Sequence, residues 1–247
     1  MIDSGARAPR SIVVNASKVD VVDEYETAST KVTAHERAIW GSAESMAGRF
    51  RWALGALPWE NIRTWLDVGC GEAGLFVMAE AAGHRFAKLV GVDITPAMID
   101  RASTQPLVSP AEFAIADLEL LPASLTSFDC ITLLGVLQKC GVAPRRVFSA
   151  LAPRLAPHGT LLLTTKNVTW RQITEGRLLP EPGHSWFAPH ELVEVAESCG
   201  LFVLRSGGLV TITSTEVPLT ESHECFLMLT NVRPVAAGND PHAPGKR

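Results

Sequence analysis

Leu66-Asp67-Val68-Gly69-Cys70-Gly71-Glu72-Ala73-Gly74 is the stretch whose reading decides the fold. Thr64 to Val68 leads into it as a short buried strand. Glu72 to Ala82 follows as a helix, with apolar positions at Leu75, Phe76, Met78, Ala79 and Ala82. Strand, glycine turn and helix in that order make a nucleotide-type site. The glycines let backbone approach a ligand closely, and the helix N-terminus points free N–H groups at it. Gly69, Gly71 and Gly74 spell GxGxxG. Alone, that pattern fits NAD, FAD, S-adenosylmethionine or a plain tight turn.

Downstream the pattern alternates. Lys88 to Asp93 reads as a second strand, and Asp93 stands 22 residues after Gly71. That spacing suits an acid accepting hydrogen bonds from ribose hydroxyls; a helix cap before Pro96 is the competing reading. Pro96 to Ser103 reads as a helix, Glu112 to Ala116 as a third strand ending at Asp117, and Phe128 to Leu134 as a fourth, near-continuously apolar strand. A helix over Pro144 to Leu155, a strand over Thr160 to Thr165 and a helix over Pro189 to Cys199 follow. Leu201 to Arg205 reads as a strand, and Val210 to Ser214 and Glu224 to Thr230 as further extended segments, with a mere connection as the alternative reading of one of the two. Repeated β-α units imply a single α/β domain, Rossmann-like and doubly wound, with a mostly parallel sheet and an antiparallel strand near the C-terminus.

The flanks carry less pattern. Residues 1–20 read as a loose arm, and 233–247 as a disordered tail rich in Pro, Gly and charge. The domain spans 21–232. Its first part, 21–60, is a helical lid with segments over 23–28, 33–40 and 43–57, the last capped by Ser42. Residues 166–188 interrupt the alternation with Pro180, Pro182 and Gly183 between Trp170 and Trp186, an insertion too long for an ordinary connection and read as functional.

Composition narrows the partners. The chain has 247 residues, 47% hydrophobic and 19% charged, with a net charge of −4, which argues against a nucleic-acid partner. No apolar run approaches the ~18 residues of a membrane helix, and 1–20 lacks the apolar core of a signal peptide. Five scattered cysteines without a CxxC pair read as reduced thiols of a cytoplasmic protein; Cys70, inside the turn, reads as a small apolar filler.

Asp67, Asp93 and Asp117 end three strands. A dinucleotide needs only the ribose acid, whereas an adenosyl ligand with an amino-acid tail also presents an ammonium, a carboxylate and an adenine amino group. Asp117-Leu118 suits the adenine: the carboxylate accepts from the amino group, and the next backbone N–H donates to a ring nitrogen.

Taken together, Leu66-Asp-Val-Gly-Cys-Gly, Gly91-Val-Asp-Ile, Ala116-Asp-Leu and Phe128-Asp-Cys-Ile-Thr look like the successive motifs of class I S-adenosylmethionine-dependent methyltransferases. Leu155 to Leu163 resembles their motif after the fourth strand, with His158 where glycine is usual. The resemblance covers roughly 49–204. It implies the seven-stranded methyltransferase sheet, S-adenosylmethionine as cofactor with S-adenosylhomocysteine as product, and a cofactor site of Asp67, Gly69, Cys70, Gly71, Gly74, Asp93, Ile94, Met98, Asp117, Leu118 and Leu134. Within the superfamily the chain is similar to the ubiquinone-biosynthesis O-methyltransferases. There an arginine on the helix before the first strand contacts the cofactor's carboxylate; Arg49, 20 residues before Gly69, occupies the matching place, with Arg51 as the competing candidate. Those enzymes carry an E-x-x-E-H pattern tied to a divalent metal; here Gly135, Gln138 and Lys139 stand there, so no metal site is expected.

The implied function is methyl transfer to a small aromatic or apolar acceptor, with a hydroxyl oxygen as the first reading of the methylated atom. N- or C-methylation and non-catalytic cofactor binding are the alternatives. Histidines outside the motifs, His184 and His35 first, are the candidate bases, since imidazole titrates near neutrality. Tyr25, Trp40, Trp170, Trp186 and Phe187 are candidates to wall the acceptor pocket. The partners expected are a small-molecule methyl acceptor, no nucleic acid and no membrane insertion; no oligomeric state follows.

Overall fold

The computed structural model describes residues 8–14 and 17–234. Five parallel strands come first: β1 (Thr64–Val68), β2 (Lys88–Asp93), β3 (Ala111–Ile115), β4 (Phe128–Leu134) and β5 (Leu155–Lys166). β6 (Phe202–Val210), β7 (Thr215–Val217) and β8 (Glu224–Thr230) add antiparallel pairings. The order is β3-β2-β1-β4-β5-β8-β6-β7. This is the expected doubly wound sheet, with eight strands in place of seven. The extra strand, β7, pairs with β6 from Gly208↔Val217 to Val210↔Thr215. Residues 211–214, expected to be extended, form the hairpin's turn, where Ser214 takes φ 58°. Their β-branched composition favours strand, but closure of the hairpin outweighs that preference.

Helices α1 (Lys18–Ala28), α2 (Ala34–Arg37) and α3 (Ala43–Ala56) precede the sheet. α4 (Gly74–Ala81), α5 (Pro96–Ala102), α6 (Pro144–Leu151), α7 (Arg171–Thr174) and α8 (Pro189–Ser198) follow its strands. Proline in the first turn starts α5, α6 and α8, where a missing N–H costs nothing. α1 begins earlier than the 23 expected, because the Ser17 hydroxyl accepts from the Val19 and Asp20 N–H groups. The arm expected over 1–20 is therefore shorter. Within it, Ile12 and Trp186 exchange backbone hydrogen bonds of 2.7 and 2.8 Å, and the Ser11 N–H donates to Glu191 at 3.0 Å. Residues 1–7, 15–16 and, of the expected tail, 235–247 lie outside the described residues.

The sheet is covered on both faces, so its inner strands are apolar throughout. Leu66, Ile131, Leu161 and Leu227 pack toward Phe148 of α6 and Leu192 of α8. Their strand neighbours Trp65, Cys130, Leu162 and Phe226 pack toward Trp52 of α3 and Phe76 of α4. α3 rests on the β6–β7 hairpin. A Cβ at Gly48 would lie 1.8 Å from the Thr211 carbonyl oxygen, so only glycine permits this approach. The Ser214 hydroxyl donates to the Gly48 carbonyl at 2.8 Å, and the Trp52 indole donates to Glu216 at 2.9 Å. The unexpected strand is thus the shelf that holds α3.

Candidate functional site

Strand order reverses between β1 and β4, which opens a crevice at the carboxyl ends of the strands. A cavity of about 310 Å³ lies there, with α1, α2 and α3 closing its outer side. It gathers the expected cofactor residues: Asp67, Gly69, Cys70, Gly71 and Gly74 from the turn after β1; Asp93, Ile94 and Met98 after β2; Asp117 and Leu118 after β3; and Leu134 at the end of β4. Arg49 stands just behind this lining.

The turn is held open by backbone that favours glycine. Gly69 has φ 74° and Gly71 φ 52°. A Cβ at Gly69 would meet Val136 at 2.3 Å, whereas one at Gly71 would meet no protein atom within 4 Å. Gly71 therefore faces open cavity. Asp93 fixes the turn from below: one carboxylate oxygen accepts from the Gly71 N–H at 2.9 Å, the other from the Thr95 N–H at 2.9 Å. Burial raises its pKa against those hydrogen bonds.

Asp67 has no cationic partner among the described residues. It accepts from the Thr132 hydroxyl at 2.5 Å, which in turn accepts from the Trp65 indole at 2.9 Å. Burial pushes its carboxyl up to about 7, only partly offset by Thr132. Asp117 behaves oppositely. It accepts from the Glu119 N–H at 2.9 Å and pairs with Lys18 of α1. Burial works against its ionisation, but Lys18 and the Glu119 N–H prevail and hold the carboxyl below its usual range. At Cys70 burial pushes the thiol well up, so it stays protonated, as a filler should.

The lid is tied down at several points. Besides Lys18, Arg37 pairs with Glu72, Glu24 with Lys139 at 2.8 Å, and Glu26 accepts from the Ala97 N–H at 3.2 Å. Tyr25 and Trp40 line the cavity. Trp170, Trp186 and Phe187 do not. Phe187 is 1% exposed in the main core, and Trp186 packs with Val168 and Ala188 in a satellite core beside Trp170. Trp186 and Phe187 are buried in these two cores, where they hold the insertion onto the domain, and are not turned into the crevice.

Neither candidate base lines the cavity. His35 shares a 3.0 Å hydrogen bond with the Thr33 hydroxyl. His184 stands beside Glu181, with Nδ1 3.5 Å from a carboxylate oxygen, and its neighbour Ser185 donates backbone N–H to the Gln138 carbonyl at 2.9 Å. Burial lowers the His184 pKa, so its imidazole is neutral at pH 7. Lys139, which does line the cavity, adds to that lowering.

Arg49 is 4% exposed and forks onto Glu224, with Nε donating at 3.2 Å and Nη2 pairing with the other oxygen. Its guanidinium carbon lies 3.6 Å from the centre of the Trp40 ring. Glu224 escaped the sequence reading. The signal for it was available: a carboxylate heading the apolar strand Glu224–Thr230 needs a buried cation. At the expected metal positions, Gln138 is buried and Lys139 is paired with Glu24. Among the described residues no three His, Cys, Asp or Glu side chains are grouped to hold a metal ion, and no helix is long and apolar enough to cross a membrane.

Three carboxylates, a turn with open backbone and a buried arginine are the donors and acceptors an adenosyl amino acid requires, so the residues present fit that cofactor. Comparison with known proteins agrees. Residues 66–163 match the family model of a methyltransferase domain. No curated protein matches the sequence. Among solved structures, the chain is similar to one from the complex between the Haloferax volcanii Trm112 methyltransferase activator and a methyltransferase. That similarity has TM-score 0.65 and 16% identity, covering 89% of this chain and 100% of the other. It is also similar to the N-methyltransferase NodS from Bradyrhizobium japonicum, solved with S-adenosyl-L-homocysteine, with TM-score 0.59 and 16% identity, covering 85% and 97%. An S-adenosylmethionine-dependent methyltransferase from Mesorhizobium loti gives 0.58 and 16%, covering 77% and 98%. At these identities the structural likeness concerns the fold. The sequence match runs from β1 into β5, the part that builds the crevice. The match thus marks a methyltransferase domain over residues 66–163.

Proposed function

We propose that the protein methylates a small, aromatic or apolar molecule at a hydroxyl oxygen, without a metal ion. The observation that carries the cofactor half of this reading is the convergence of Asp67, Asp93 and Asp117 on one cavity beside the glycine turn. Bound S-adenosylmethionine supplies a methyl group on a sulfonium sulfur and is left as neutral S-adenosylhomocysteine. Asp93 takes the ribose hydroxyls with the lone pairs its two backbone donors leave free. Asp67, the unpaired buried acid, takes the ammonium. Asp117 and the Leu118 N–H take the adenine edge, and Arg49 the carboxylate. Ile94, Met98, Leu118 and Leu134 give the adenosine its apolar surroundings.

The acceptor half rests on Tyr25, Trp40 and Phe50, which give the lid side of the cavity an aromatic wall. Alignment and exclusion of water under the lid supply much of such a catalyst's effect. His184 is the proposed base, neutral at pH 7 and next to Ser185, whose N–H donates to the Gln138 carbonyl beside cavity-lining Lys139. His35 is a weaker choice, because its ring is engaged with Thr33 outside the cavity. Absence of carboxylates at 135, 138 and 139 supports a metal-free reaction, and only the cofactor site of the ubiquinone-type enzymes is taken over here.

Calorimetry with S-adenosylmethionine and S-adenosylhomocysteine, with NADH as control, tests the cofactor. Binding of the first two and not the third is expected; NADH binding alone would reject the site. An acceptor screen with tritiated methyl donor tests the rest. Methylation of amines or carbon acids only would replace the O-methyl reading, and cofactor binding without any turnover would leave a binding protein.

A further inference from the structure

We propose that Glu224 is a positioning residue for cofactor recognition: it fixes two edges of the Arg49 guanidinium so that the remaining Nη1 edge is presented to the cofactor's carboxylate. This rests on the reading of Arg49 given above. Nε and Nη2 are both engaged by Glu224, and the face of the guanidinium lies on Trp40, 3.6 Å from the ring centre. Nη1 has no hydrogen-bond partner among the described residues. It lies beside Gly135, where a Cβ would come within 2.7 Å of it, and Gly135 lines the cavity. Glycine at 135 thus leaves the path from Nη1 to the cavity open.

Glu224 is itself held. It heads β8, paired with Lys166 of β5, and its N–H donates to the Ser222 hydroxyl at 3.2 Å; that hydroxyl donates to the Leu209 carbonyl at 2.6 Å. The guanidinium is therefore referenced to the sheet on one side and, through α3, to the β6–β7 hairpin on the other. Energetics favour a functional reason for the pair. Desolvating two charges is costly, and well-packed apolar residues in place of a buried ion pair are often neutral or stabilising. Stability alone gives no reason to keep both charges here, at 5% side-chain exposure each. A preorganised cation at the edge of a cofactor cavity does, since a fork already oriented loses little freedom on binding a carboxylate.

The test compares binding of S-adenosylmethionine with that of its decarboxylated analogue, by calorimetry, to the wild type, Glu224→Gln, Glu224→Asp, Arg49→Met and the Arg49→Met/Glu224→Gln double variant. Wild type is expected to prefer the carboxylated ligand. Glu224→Gln should lose about tenfold of that preference, the scale of one misaligned charge-assisted contact. Glu224→Asp keeps the charge but is one methylene short of spanning Nε and Nη2, and should lose about threefold while remaining folded. The double variant, which buries neither charge, should equal Arg49→Met. An unchanged or increased preference in both Glu224 variants overturns the proposal, as does a Glu224→Gln effect that persists in the Arg49→Met background. An unchanged preference in Arg49→Met instead overturns the role of Arg49 itself.

Discussion

Asp67 offers a test in which a proton reports on the site. Its carboxyl, buried without a cationic partner among the described residues, titrates at about 7, against an ordinary 3.8. In the proposed reading the cofactor's ammonium sits against this carboxylate and favours its ionised form, so binding must displace a proton whenever Asp67 carries one. For a carboxyl of that pKa, about 3% is ionised near pH 5.5 and about three quarters near pH 7.5. If only the ionised form binds, apparent affinity scales with that fraction and tightens by up to about twenty-five-fold across the window. An ordinary α-amino group, at about 7.7–8.0, is still about two-thirds charged at pH 7.5, so the ligand's own titration trims the gain to roughly fifteenfold without changing its sign. The sign for the free protein is opposite. A raised acid pKa means the folded state binds the proton more tightly, so this group's contribution to stability falls as pH rises from about 4 to about 7. Calorimetry at a series of pH values, repeated in buffers of different ionisation enthalpy, reads both the affinity and the released proton. Asp67→Asn should flatten the profile. A wild-type affinity constant within twofold over the window, with no proton release, would refute the placement of the ammonium on Asp67.

Other perturbations separate the turn, the ribose contacts and the metal question. Asp93→Ala removes a carboxylate that already holds two backbone donors, and loss of two charge-assisted contacts to the ligand is worth about 3 kcal/mol, or over a hundredfold in dissociation constant; a change under about fivefold would reject the ribose role. Gly69→Ala places a methyl 2.3 Å from Val136 at φ 74°. It should cost about 2–4 kcal/mol and lower the melting temperature by about 5–15 °C. Gly71→Ala, with open space at its Cβ, should cost less stability while filling cavity needed by the ligand, and equal melting losses in the two variants would show that the steric contact is not the cause. Turnover, once an acceptor is found, should survive EDTA; loss restored by Mg²⁺ would reverse the reading of Gly135, Gln138 and Lys139.

How much of this was legible in the sequence depended on whether the controlling interactions were local. β1, β2, β4 and β8 were readable to the residue, since each is an apolar run bounded by turn residues. β5 runs from Leu155, earlier than the expected Thr160, because its first residues pair with β4 only across a bulge at Phe128/Cys130. The start of α1 was missed because Lys18-Val-Asp-Val carries little apolar period, and a serine hydroxyl settled the boundary. β7 was missed because three residues make no pattern; its reality comes from α3 packing on the hairpin, a contact over 160 residues distant in sequence. The same distance hid Glu224, 175 residues from Arg49.

The cofactor crevice and the acceptor side differ in legibility for a chemical reason. An adenosyl amino acid presents fixed polar groups, and each needs a partner at a set place along the strand ends, so the acids at 67, 93 and 117 recur at the tips of successive strands. The acceptor needs only an apolar enclosure and a lone pair in line with the methyl group, and many side chains can supply an enclosure. Aromatic residues in the insertion therefore looked equivalent to those in the lid, although burial sent Trp186 and Phe187 into cores and left Tyr25 and Trp40 at the cavity. Only the packing of α1 and α3 distinguishes them. That packing depends on a glycine at 48, a serine cap at 42 and ion pairs between the lid and the domain, each unremarkable alone. Exposed pairs of this kind contribute about 0–1 kcal/mol each. The acceptor wall is thus set by many weak, distant contacts, whereas the cofactor site is set by a few strong ones close together in the strand order.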